Sequence, residues 1–136
     1  MKENNNLEQN FSAIILAAGK SERLGFPKLS LKYNNQNTFI EQIAMKFKTF
    51  ACKEIIAVVN QTGYDYIQKH RLKLPVNLKL VINEHPDWHR FYSLKLGANQ
   101  IKENNSVFIH NVDNPFVNQG VLDELLNHNK KSDYIS

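Results

Sequence analysis

Short apolar runs alternate with amphipathic segments along this chain, and that alternation limits its fold more than any other feature of the sequence. The runs have the length and β-branched content of buried strands, and the segments between them place apolar residues at helical spacing. The predicted strands are 12–17, 54–59, 78–82 and 106–112, and the predicted helices are 38–50, 62–70, 89–101 and 118–127. This order predicts an α/β fold, Rossmann-like, with a mostly parallel sheet between two layers of helices.

The individual segments carry local signals that agree with this order. The run from Ser12 to Ala17 is apolar after its first residue, as in a strand buried on both faces, and Gly19 follows it closely. Thr38 precedes an apolar pattern of helical period and has Glu41 three residues later, which predicts a capping box at the start of a helix.

Length and composition indicate one domain. The chain has 136 residues, of which 42% are hydrophobic and 22% charged, as in an ordinary globular protein. We expect a flexible N-terminal arm over 1–11 and a domain over 12–136. No apolar run reaches the roughly 18 residues that span a bilayer, so we expect a cytoplasmic protein with no membrane partner. The single Cys52 excludes an internal disulfide.

Positive charge is concentrated in one part of the chain. The formal net charge is +4, yet the segment from Lys20 to Lys53 holds seven basic residues against two acidic ones. A short basic segment suits a small polyanion, such as a nucleoside triphosphate, better than it suits a duplex, which calls for a longer basic stripe. We therefore expect no nucleic-acid partner.

The loop after the first predicted strand combines glycines with cations. Gly19 and Gly25 allow close approach of the backbone to a ligand, and Lys20, Arg23 and Lys28 supply positive charge for phosphate oxygens. The loop is neither a Walker A motif nor a Gly-x-Gly-x-x-Gly motif. Two interpretations stay open on composition alone: a phosphate-binding loop, or a plain glycine turn with solvated charges.

A second candidate site residue follows the fourth predicted strand. Asp113 would emerge at the carboxyl edge of the sheet, beside the loop that contains Gly19. A carboxylate oxygen there suits Mg²⁺ bound to triphosphate oxygens. The alternative is an aspartate that initiates a turn before Asn114 and Pro115.

The run from Ala13 to Leu29 resembles the signature of nucleotidyltransferases with a glycosyltransferase-A-like fold, the nucleotide-diphospho-sugar transferase type. The single residue between Gly25 and Pro27 makes it most similar to the branch that transfers CMP or GMP to the molybdenum cofactor. The resemblance extends over 12–136, through motifs around 83–97 and 113–117.

The resemblance implies transfer of a nucleoside monophosphate from CTP or GTP to a phosphorylated small-molecule acceptor such as molybdopterin, with release of pyrophosphate. It implies catalytic roles for Arg23 and Lys28, and an Mg²⁺ ligand in Asp113. The residues that it implies for nucleotide binding are Leu16, Ala17, Ala18, Gly19, Asn83 and Ser93.

Two departures from the family pattern leave alternatives open. His89 stands where relatives usually have the glycine of a Gly-Met-x-x-Ser motif, which bears on the acceptor side of the site. Relatives also continue beyond the position of Ser136 with an acidic residue that helps hold the metal, so the chain resembles the nucleotide-binding front portion of a C-terminally short fold. The alternatives are a nucleotide-binding module without catalysis and a cytidylyltransferase for another phosphorylated small molecule.

Overall fold

The computed structural model describes residues 11–19, 26–50, 52–102 and 106–114. The strands are β1 (Phe11–Ala17), β2 (Glu54–Val59), β3 (Leu78–Ile82) and β4 (Ser106–Asn111). The helices are α1 (Phe39–Thr49), α2 (Gln61–His70) and α3 (Arg90–Ala98), and a short 3₁₀ turn covers Lys28–Ser30. All pairings between the named strands are parallel, which confirms the predicted α/β class.

The order of the strands creates a switch point next to β1. The described strands lie in the order β3-β2-β1-β4, so the chain proceeds outward from β1 to β3 and then returns to the other side of β1. In open α/β sheets, ligands bind outside the carboxyl ends of the strands where the order reverses. The switch point between β1 and β4 is therefore the expected place for a ligand.

Helices cover both faces of the sheet. All seven residues of β1 are buried, which explains why Ser12 is the one polar residue in its sequence. Alternate residues such as Ala13 and Ile15 pack with Ile40 and Phe47 of α1 and with Ile67 of α2. The other alternate residues of β1 and β2 form a second cluster, on which α3 packs.

Replacing Gly97 with alanine should destabilise the fold, because α3 lies very close to the sheet at this residue. A Cβ on Gly97 would lie 2.8 Å from Ile14 Cγ2 and 3.1 Å from Val58 Cγ2. Both are methyl groups of buried β-branched residues, so these side chains or α3 must shift. We expect a loss of about 1–3 kcal/mol in the free energy of unfolding, measured by urea denaturation.

Gly19→Ala is the matched control for Gly97→Ala. Among the described residues other than Gly19 and its chain neighbours, no heavy atom lies within 4 Å of a Cβ built on Gly19. The two variants change the same atoms, so equal stability of Gly97→Ala and Gly19→Ala would contradict the close packing of α3.

The structure confirms the predicted capping box. Glu41 Oε1 accepts a hydrogen bond from Thr38 N at 2.8 Å, and Thr38 Oγ1 accepts one from Glu41 N.

The free cysteine, Cys52, is buried, and this burial raises the pKa of its thiol to about 12. The thiol is therefore protonated and unreactive near neutral pH.

Two sequence predictions need correction, and two others lie outside the described residues. Phe11 belongs to β1, where it is 2% exposed and stacks on Phe108, so the predicted boundary between arm and domain is one residue late. The helical spacing of Phe91, Leu94, Ala98 and Ile101 in the segment 89–101 predicts that Phe91 packs on the sheet, but its side chain is 76% exposed. Residues 1–10 and the predicted helix 118–127 lie outside the described residues. No helix in the described part of the chain is long and apolar enough to cross a membrane.

Candidate functional site

A cavity of about 310 Å³ opens at the carboxyl ends of β1 and β4. One side is formed by the end of β1 and the residues after it, together with Lys28 and Asp113. The other side is formed by the β3–α3 connection and the start of α3, including Trp88, Arg90 and Ser93. The volume lies at the lower end of the range of small-molecule sites. The cavity lies at the β1/β4 switch point.

The pairing of β1 with β4 brings the two predicted loops level with each other. Leu16 pairs with Asn111 in register, and Val112 N donates to Leu16 O at 3.0 Å. A turn follows, in which Asn114 N donates to Asn111 O at 3.2 Å. Asp113 lies in this turn, beside the segment that follows β1.

An ion pair joins the two charged residues of the cavity. Lys28 Nζ lies 3.2 Å from Asp113 Oδ1, and the side chains are 42% and 64% exposed. An ion pair this exposed adds at most about 1 kcal/mol to stability. Both charges remain accessible to a ligand, Lys28 for phosphate oxygens and Asp113 for a cation.

Asn83 and Ser93 have different positions relative to the cavity. Ser93 lines it, whereas Asn83 is 1% exposed and lies beneath it. Asn83 Nδ2 donates to Ser93 Oγ at 2.8 Å, and Asn83 Oδ1 accepts from His85 N at 2.7 Å. Because Ser93 Oγ accepts this bond, its own proton is directed elsewhere and can serve a ligand. Asn83 thus orients the Ser93 side chain and the β3–α3 connection that contains His85.

An aromatic group forms one wall of the cavity. Trp88 is 51% exposed, stacks on His85 with ring centroids 3.9 Å apart, and meets the edge of Tyr92 at 4.7 Å. The stack holds the indole in place, so a flat apolar surface faces the cavity. His85 is thus engaged in stacking. Among the described residues, no group of three or more His, Cys, Asp or Glu side chains could hold a metal.

Arg90 and Asn111 are cavity residues that the sequence analysis did not identify. Arg90 Nε donates to Asn111 Oδ1 at 3.3 Å, which joins the start of α3 to the end of β4. Arg90 occupies the second position of the motif in which relatives carry Gly-Met. A cationic side chain at that position of the motif is the sequence signal that could have identified Arg90 as a cavity residue.

Most of the predicted site residues meet at this one cavity. The predicted site residues that line it are Leu16, Ala17, Ala18, Gly19, Lys28, Ser93 and Asp113. Asn83 supports it from below, and Arg23 lies outside the described residues. Their roles in binding and catalysis remain predictions.

The comparison with known families decides the class of the chain. A model described as the MobA-like NTP transferase domain matches residues 13–135. This chain belongs to the MobA-like NTP transferase domain family. The membership confirms the resemblance seen in the sequence, and it agrees with a cavity at the β1/β4 switch point.

Individual relatives of this MobA-like chain include cytidylyltransferases. The chain is 22% identical, over 125 residues, to 2-C-methyl-D-erythritol 4-phosphate cytidylyltransferase of Fusobacterium nucleatum, covering 90% of this chain and 54% of the relative. The solved Francisella tularensis enzyme of the same name has a TM-score of 0.68 at 23% identity, covering 91% and 54%. CTP:phosphocholine cytidylyltransferase of Streptococcus pneumoniae has a TM-score of 0.56 at 26% identity, covering 76% and 45%. The chain spans about half the length of the curated relative.

Proposed function

We propose that the chain binds a nucleoside triphosphate in this cavity and transfers the nucleoside monophosphate to a phosphorylated small molecule. CTP is the triphosphate that we propose, so the group transferred is CMP. One observation carries the proposal. The backbone at Gly19, the ammonium of Lys28 and the carboxylate of Asp113 surround one cavity at the switch point of a fold whose family consists of NTP transferases.

The relatives support cytidine as the base and leave the acceptor undecided. The Fusobacterium and Streptococcus relatives are both named as cytidylyltransferases, yet their names give different acceptors. The spacing from Gly25 to Lys28 supports molybdopterin as a further candidate acceptor, since it matches the molybdenum-cofactor branch. The base is therefore the better supported part of the proposal.

The proposed reaction needs no side-chain nucleophile. An oxygen of the acceptor phosphate attacks the α-phosphorus in line, the bond to the bridging oxygen breaks, and pyrophosphate leaves with that electron pair. The Lys28 ammonium stabilises negative charge on the reacting phosphates. Gly19 leaves open space for phosphate oxygens to approach the backbone, and the Ser93 hydroxyl, whose oxygen accepts from Asn83, has its proton available for the nucleoside.

The residues present fit a magnesium ion. Mg²⁺ in nucleotide sites keeps several waters and takes one or two carboxylates plus phosphate oxygens, and Asp113 is an exposed carboxylate in the cavity. When bound there, the ion would supply charge neutralisation for the triphosphate. A cation held by Asp113 would compete with the Lys28 ion pair and leave the Lys28 ammonium available for the charge that develops during transfer.

Trp88 provides a direct test of binding, because it is the only tryptophan in the chain and lines the cavity. We expect CTP with Mg²⁺ to change its fluorescence, with an affinity that isothermal calorimetry reproduces. Trp88→Phe should lose the signal and still bind CTP in calorimetry. Absence of heat and of fluorescence change with CTP, GTP and ATP at millimolar concentration would overturn the proposal.

A pyrophosphate-release assay distinguishes the enzyme from a nucleotide-binding module. Turnover with any member of a panel of phosphorylated acceptors supports transfer. Binding of CTP without pyrophosphate release across the panel supports the module, which retains the site and lacks catalysis.

A further inference from the structure

Asn60 connects the start of a helix to the loop that follows β1. It lies between β2 and α2, and its Oδ1 accepts a hydrogen bond from Gly63 N at 2.8 Å as the N-cap of α2. Its Nδ2 donates to Ala18 O at 3.2 Å and to Gly19 O at 3.4 Å. One amide group therefore caps a helix and holds two carbonyls of the cavity lining.

We propose that Asn60 is a positioning residue that fixes the backbone after β1 in the shape that receives the triphosphate. This role rests on the proposed function. In a trans peptide the C=O and N–H point in opposite directions. Because Asn60 holds the Ala18 carbonyl, the N–H of Gly19 is turned away from Asn60. The hydrogen bond from Asn60 to Ala18 O thus sets the direction of Gly19 N–H, a backbone donor in the cavity lining.

The start of α2 also supports the other end of the same loop. A Cβ on Gly63 would lie 2.9 Å from Leu29 Cδ2, so the helix touches the residue directly after Lys28. Leu29 is 1% exposed. The start of α2 therefore contacts both ends of the loop. Asn60 bonds to the carbonyls of Ala18 and Gly19, and Gly63 packs against Leu29, next to Lys28.

Helix capping alone does not explain an asparagine at this position. Ser, Thr and Asp cap helices about as well as Asn, but none of them carries an amide N–H₂ group. The bonds to Ala18 and Gly19 need that group. Capping and positioning can therefore be separated by substitution.

Asn60→Ser and Asn60→Asp are the test variants. Both retain an acceptor for Gly63 N and lose the amide N–H₂ group, so the thermal unfolding midpoint should change little. The affinity for CTP with Mg²⁺ should fall roughly threefold to tenfold in Asn60→Ser, as expected for a lost hydrogen bond, and by about tenfold or more in Asn60→Asp, whose carboxylate repels the two carbonyls. With CTP and Mg²⁺ bound, hydrogen exchange at Gly19 should be faster in both variants than in the wild type, because the misdirected N–H no longer donates well to the triphosphate.

Gln61→Glu is the control for charge. It adds the same negative charge one residue along, on an exposed side chain that bonds to Asp65 rather than to the loop. We expect its affinity for CTP to stay within about twofold of the wild type, as for an exposed charge.

The outcomes separate the two proposals. If wild-type protein binds neither CTP nor inorganic tripolyphosphate, the proposed function fails and the role of Asn60 fails with it. If wild-type protein binds CTP while Asn60→Ser binds equally well, only the role of Asn60 is overturned. Equal losses in Asn60→Asp and Gln61→Glu, with Asn60→Ser unaffected, would assign the effect to charge and likewise overturn it.

Discussion

Replacing Asp113 with asparagine should lower the affinity for CTP at least tenfold when Mg²⁺ is present. Asparagine keeps the shape of the side chain and its ability to form the turn after β4, but it removes the negative charge that a hard cation requires. A lost charge-assisted contact in such a site is worth about 2–4 kcal/mol. Calorimetry with CTP and Mg²⁺ measures the loss.

The same variant should behave in the opposite way without Mg²⁺. In EDTA, Asp113 repels the triphosphate and holds Lys28 at 3.2 Å, so its neutralisation should leave the affinity unchanged or raise it. Asp87→Asn removes an exposed charge that does not line the cavity and serves as the control. An equal loss of affinity in both variants, or the same loss with EDTA as with Mg²⁺, would contradict a metal-binding role for Asp113.

Structural features that depend on residues close together in the sequence were predictable. The apolar run of β1 indicated a strand buried on both faces, and Thr38 with Glu41 indicated the start of a helix. The alternation of strands and helices then implied a parallel sheet, and parallel strands place their carboxyl ends at one edge. That step was enough to bring Gly19 and Asp113 to the same cavity.

Contacts between distant segments were not predictable, because they depend on which strands are neighbours. Asn60 contacts Ala18, 42 residues away, and Arg90 contacts Asn111 across the switch point. A sequence rich in asparagine gives no reason to single out Asn60. The pattern also misplaced Phe91, since α3 meets the apolar cluster beneath it through Leu94 and later residues and not through its first turn.

Arg23→Lys should reduce the affinity for CTP at least tenfold, although the charge is preserved. A guanidinium can hold two phosphate oxygens at once through its planar fork, and one ammonium cannot reproduce that geometry. We propose that Arg23 acts mainly on the leaving pyrophosphate. Titration of Trp88 fluorescence with CTP and Mg²⁺ measures the change.

Lys28→Ala should instead leave the affinity for CTP nearly unchanged and slow transfer at least tenfold, in pyrophosphate-release assays with an active acceptor. Lys28 follows Pro27 and reaches the cavity beside Asp113, which suits contact with the α-phosphate or the acceptor, where charge builds up only during reaction. Lys32→Ala removes an exposed charge of the same basic segment outside the cavity and should change neither quantity. Small and equal effects of Arg23→Lys, Lys28→Ala and Lys32→Ala would show that the cations are solvated loop residues, and the site would have to be placed elsewhere.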